Sequence, residues 1–113
     1  MSITASDVID RAKVIWGAAS ASIISDANAL LFLSDGVLEL RAIRPETQFV
    51  SGVYTAHTEV SGTGSTINID VKFRPCLVDY LVWRGFQADS DSQRRNDRAE
   101  LHKKQFYERA KTI

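Results

Sequence analysis

The chain has 113 residues, 44% of them hydrophobic and 25% charged, which fits one small globular domain. Fourteen Lys/Arg balance fourteen Asp/Glu, and this zero formal charge excludes a nucleic-acid or membrane binder that works by net charge alone. A single cysteine excludes an internal disulfide and fits a reducing compartment.

The opening MSITASDVIDRAK carries acids early and no basic stretch ahead of an apolar run, so no signal peptide is expected. Thr4 can cap a first helix, Asp7 stands three residues on in a capping-box position, and Gly17 can close it. Val8, Ile9, Ala12, Ile15 and Trp16 then recur at helical spacing. A second helix is expected from a Ser25 cap, with Asp26 in its first turn. Leu30, Leu33, Val37 and Leu40 define its apolar face, Leu31 and Leu38 widen it, and Asn28, Asp35 and Glu39 lie opposite. Ser34-Asp35-Gly36 reads locally as a turn. The leucine period nevertheless continues in phase across it, and one glycine in a helix costs only about 1 kcal/mol. The helix is therefore expected to run to about Ile43 and to close at Arg44-Pro45, because the residue before proline is pushed out of helical geometry.

The pattern then changes period. TINIDVKF, Thr66 to Phe73, places Ile67, Ile69, Val71 and Phe73 on one face and Thr66, Asn68, Asp70 and Lys72 on the other, as a half-buried strand does. FVSGVYTAHTEV upstream is rich in β-branched and aromatic residues, and SGTGS between the two runs is turn-forming. A β-hairpin insertion over about residues 48–73 is expected, with its tip around Gly62 and Gly64.

A third helix follows Pro75, which suits a first helical turn. Leu77, Val78, Leu81, Val82 and Gly85 form one face, and Tyr80 and Trp83 cover much of the rest, so this helix should be central. ADSDS breaks it. A last helix from about Gln93 to Ala110 sets Ala99, His102, Phe106 and Ala110 on one side. The expected fold is mostly α with a β-hairpin: a small four-helix bundle in the order helix–helix–hairpin–helix–helix, in one domain over residues 1–113.

Chemistry-bearing residues are few. Cys76 in a first helical turn has the position of an activated nucleophile, but neither His57 nor His102 is placed beside it by any motif spacing, and a packed core cysteine is the commoner case. The same three residues lack metal-ligand spacing. Gly62-Thr63-Gly64 lacks the lysine and following helix of a phosphate loop. Asp79 and Glu39 have no partner that spacing identifies, although Asp79 and Arg84, on a largely buried helix, each require a polar partner. No catalytic residue, metal or other cofactor is expected, and the chain is not expected to be an enzyme.

Two blocks carry a likeness. DVIDRAKVIWG followed by ISDANALLFLSDGVLELRAIRPE, and FRPCLVDYLVWRGFQAD followed by a charged helix ending in Phe106-Tyr107, resemble the head–tail connector proteins of tailed bacteriophages, the head-completion adaptors that bind the portal. Cys76 stands where alanine is more usual in that family. The resemblance implies a structural virion protein, made in the host cytoplasm, that sits at the head–tail junction. There it would join neighbouring copies in a ring, commonly of twelve, under the portal protein. The ring would extend the DNA channel, with DNA only as passing cargo and no membrane partner, and would meet tail or neck completion proteins. It implies portal or channel contact through Arg94, Arg95, Arg98, Lys103, Lys104, Phe106 and Tyr107. It also implies subunit or tail contact through the hairpin residues Phe49, Val53, Tyr54, Gly62, Thr63 and Gly64.

The alternative is a small DNA-binding or regulatory domain that uses the basic last helix, whose cations are interleaved with Asp97 and Glu100. Charge is also divided along the chain: Arg84–Ile113 holds eight basic and five acidic residues (8 − 5 = +3), and Met1–Trp83 holds six and nine (6 − 9 = −3). Copies with such a division can meet head to tail.

Overall fold

The computed structural model describes residues 3–16, 26–50, 52–57, 59–88 and 93–113; within these, the side chains of Trp16, Asp26, Val50, Ala88 and residues 93–96 lie outside the description. The expected Ser25 cap, Gly17 helix end and ADSDS break also fall outside it, apart from the backbone of Ala88. Four helices are described: α1 (Ala5–Trp16), α2 (Asp26–Ile43), α3 (Arg74–Ala88) and α4 (Gln93–Thr112). They form a small helical bundle carrying a hairpin.

α3 is the centre. Cys76, Leu77, Val78, Tyr80, Leu81, Val82 and Phe86 are all buried, and α1, α2 and α4 each pack on this helix while making few contacts with one another. A helix apolar on nearly every side has no stable place except between neighbours. The buried apolar residues of all four helices and of the segment before α3 form one core cluster.

α2 passes through Ser34-Asp35-Gly36 without a break. Gly36 lies against the Tyr80 ring: a Cβ built there would stand 2.7 Å from Tyr80 Cδ1. The glycine is therefore an approach site for an aromatic ring. Ser34 is buried, and its Oγ accepts the Val60 N–H at 2.8 Å, which ties the irregular segment before Thr66 to α2. Arg44 closes the helix ahead of a 3-10 turn at Pro45–Gln48. Its Nη1 donates to the carbonyls of Ala110 and Ile113 at 3.0 and 2.7 Å, supplying partners at the C-terminus of α4.

The strands correct the sequence reading. The hairpin is short: β2 (Phe49–Val50) pairs antiparallel with β3 (Val53–Tyr54) across Gly52, whose φ of +82° suits glycine. Thr66–Phe73 is not its second arm. Only β4 (Thr66–Ile67) is extended, and it pairs with β1 (Ile3–Thr4) instead. After it, the Asp70 carboxylate accepts the Lys72 N–H at 3.0 Å and starts a 3-10 turn, Val71–Phe73, that leads into α3. Ile67, Ile69 and Phe73 are buried as the alternation implied. The period of two thus records burial in an irregular segment, without a ladder to match.

The Gly62–Ser65 turn is likewise no free tip. Its Ser65 and Thr63 carbonyls accept the Ala5 and Ser6 N–H groups at 2.9 and 2.7 Å, so it covers the open N-terminus of α1. Thr4 Oγ1 completes that cap by accepting the Asp7 N–H at 3.3 Å.

Candidate functional site

Asp79, on α3, is buried and held entirely by α4. Its Oδ1 stands 2.9 Å from His102 Nδ1, and its Oδ2 accepts a hydrogen bond from Arg109 Nη1 at 2.7 Å. A carboxylate removed from water needs such partners; here they fix the α3–α4 register. Arg84, one turn further along α3, donates to Tyr80 Oη at 2.7 Å and lies over the Phe32 ring at 4.6 Å. Asp79 and Arg84 both find their polar partners within the chain. Cys76 is fully buried, and burial, with the Asp79 charge adding to it, pushes its thiol from the ordinary 9.0 up to about 11. The geometry disfavours the thiolate form that a nucleophile uses.

The α4 residues do not form one surface. Arg94 and Arg95 lie on α4, but their side chains are outside the described set. Phe106, expected at a contact surface, is fully buried between Tyr80 and Tyr107, with ring centroids 5.1 Å from each. It shares the Ala99–Ala110 stripe that packs on α3, so it cannot meet a partner without unseating the helix. Tyr107 is half-buried and donates to Glu39 Oε1 at 3.2 Å. Lys103 Nζ lies 5.4 Å over the Trp83 ring, on one flank of α4. Arg98 approaches Phe86 on the other flank, while Lys104, exposed beside Glu100 and Glu108, lines one shallow depression with Lys103 and Tyr107. At 3.6 residues per turn Arg98 thus stands apart from the side of α4 that carries Lys103 and Lys104.

The hairpin presents apolar surface. Phe49, Val53 and Tyr54 are 52, 67 and 60% exposed, with Phe49 and Tyr54 meeting edge to face. Tyr54 also borders Leu38 and Ala42 of α2. Leu31 and Leu38, expected to widen the core face of α2, are instead 61 and 45% exposed. Leu31, Asp35, Leu38 and Ala42 follow steps of four, three and four on the side of α2 away from its buried leucines, so they make a second stripe that runs onto the hairpin. Their spacing was visible in the sequence. Leu31 and Leu38 also stand at helical steps beside Leu30, Leu33 and Val37, so the period alone fits them equally to the buried face.

Among the described residues, no three His, Cys, Asp or Glu side chains converge as a metal site, and no helix is long and apolar enough to cross a membrane. His57, on the irregular segment after β3, is half-buried, and both its ring nitrogens are enclosed without a hydrogen-bond partner among the described residues; its Nε2 stands 3.6 Å from Glu59 Oε1. No family model, no curated protein and no solved structure matches the chain.

Proposed function

We propose that this protein is a structural component of the head–tail junction of a tailed bacteriophage: a connector that forms a ring beneath the portal, extends the DNA channel and offers the tail its attachment surface. The observation that carries the reading is the apolar stripe shared by α2 and the hairpin. Leu31, Leu38, Phe49, Val53 and Tyr54 stand in solvent on a domain whose core is already closed. An exposed apolar surface of that kind supports contact with another chain. The two sequence blocks described above, and the helix–helix–hairpin–helix–helix order that they imply, support the same assignment.

The exposure of the hairpin supports contact with a neighbouring copy, whereas contact through the Gly62–Gly64 turn would have to respect that turn's hold on α1. The test is to mix the protein with portal rings and image the product by electron microscopy. A ring of added density beneath the portal is expected; bare portals at saturating protein would sink the proposal. The DNA-binding alternative predicts instead an affinity for duplex DNA that falls steeply with salt. The mixed charges around α4, with Glu100 and Glu108 among its lysines, favour the connector over it.

A further inference from the structure

α1 and α4 both pack on α3 but hardly on each other, so a groove opens between them. Pro75 and Val78 of α3 and Ile15 of α1 line it, and three guanidinium groups stand around it, from Arg11, Arg74 and Arg109. Each spends one N–H on an acid of its own chain: Arg11 and Arg74 hold the Asp7 carboxylate at 3.2 and 3.0 Å, and Arg109 holds Asp79. An arginine carries five donors, so each can still take a further acceptor. An apolar floor with arginines around it suits an amphipathic segment bearing a carboxylate. It suits a phosphate backbone poorly, because Asp7 and Asp79 stand among the arginines and the floor would go unused.

Such a segment is present on the opposite side of the molecule. Asp35 sits midway between Leu31 and Leu38 on the exposed stripe of α2, and its one ion-pair partner among the described residues, Arg84, is 3.6 Å away, beyond hydrogen-bond distance. Pro75, Val78 and Asp79 face the groove, whereas Tyr80 and Arg84 face α2; these directions differ by roughly 160° around the α3 axis. One copy therefore carries two unlike, complementary faces pointing apart.

We infer that the Leu31–Asp35–Leu38 stripe of one copy docks in the arginine groove of the next. This deepens the ring reading and rests on it. The contact is heterologous, so it propagates from copy to copy and closes as a ring when the rotation permits.

The test uses two single variants of the full chain, Asp35→Arg on the stripe and Arg11→Glu on the groove. Both sites are exposed and their ion pairs are worth little to the fold, which thermal melts followed by circular dichroism would check. By mass measurement in solution, the wild-type protein is expected to form closed multimers and each variant alone to stay monomeric. An equimolar mixture of the two should assemble again, because each variant keeps one good face and the two reversed faces carry opposite charges. That outcome separates a heterologous contact from an isologous one. Variants that assemble like the wild type, a mixture that stays monomeric although both chains are folded, or a wild-type chain still monomeric at about 1 mM, would each overturn the inference. Portal binding is read separately. Portal bound normally by both variants with their assembly intact sinks this contact alone, and face-dependent assembly that ignores the portal sinks the connector reading alone.

Discussion

Asp79 is the residue on which α3 and α4 agree. Replacing it with alanine leaves His102 and Arg109 facing an empty acceptor; Arg109 is nearly half exposed and can turn to water, but His102 is largely enclosed. Asp79→Ala should lower stability by about 2–4 kcal/mol, seen as a lower urea midpoint, and an unchanged midpoint would mean that the network is ornamental. Cys76 gives a pH test. Its folded pKa is raised to about 11, so its share of stability is complete below the ordinary thiol range and is lost as pH rises through the folded value. Cys76→Ala should therefore soften the alkaline loss between roughly pH 9 and 11 while costing about 1 kcal/mol at neutrality. Tyr80, also pushed up by burial, keeps part of that loss in either protein. At the acid end the sign reverses. Burial raises the Asp7 pKa, but hydrogen bonds from Arg74 and Arg11 outweigh it and hold the carboxyl below its ordinary range. Its contribution is present above the unfolded pKa and disappears as pH falls through the folded one, so Asp7→Asn should flatten the acid limb of the stability profile.

At the scale of elements, the α2 glycine decides between two opposing effects. Alanine at an exposed helical position would gain about 1 kcal/mol over glycine. At position 36 the new methyl meets the Tyr80 ring at 2.7 Å, and overpacking costs about 1–3 kcal/mol. Tyr80 is itself gripped by Arg84, Trp83 and Phe106, so it cannot step aside. Gly36→Ala should be destabilising on balance, and a stabilised variant would show that the ring has room to move. The same elements show what the chain made legible. The helices could be read because their signals are local: Thr4 as cap, the leucine period through Gly36, Pro75 in a first turn. The pairing of Ile3–Thr4 with Thr66–Ile67 could not, because it joins residues more than sixty apart over a two-residue ladder. Alternation at Thr66–Phe73 reports only which side chains are buried, and an Asp70-capped turn satisfies it as well as a strand does. The groove was invisible for the same reason: Arg11, Arg74 and Arg109 come from three helices and converge only once the bundle is packed.

For the whole molecule the question is whether the α2 stripe belongs to this domain or to an assembly, and two leucine pairs separate the possibilities. Leu33 and Leu40 are fully buried; truncating either to alanine should cost about 2–5 kcal/mol of monomer stability. Leu31 and Leu38 are largely in solvent, and glutamine has nearly the same helix propensity as leucine. The double variant Leu31→Gln/Leu38→Gln should melt within about 0.5 kcal/mol per site of the wild type. Its assembly should suffer far more, since each leucine that a neighbour covers contributes on the order of 1 kcal/mol and a ring repeats the contact at every junction. At about 1.4 kcal/mol per tenfold in association, loss of both should weaken each junction by roughly tenfold or more. Thermal melts and mass measurements on one preparation test both halves together. A melt depressed as far as that of Leu33→Ala would assign the stripe to the protein's own core. An unchanged melt with unchanged assembly would leave the stripe without a partner and remove the observation on which the connector proposal stands.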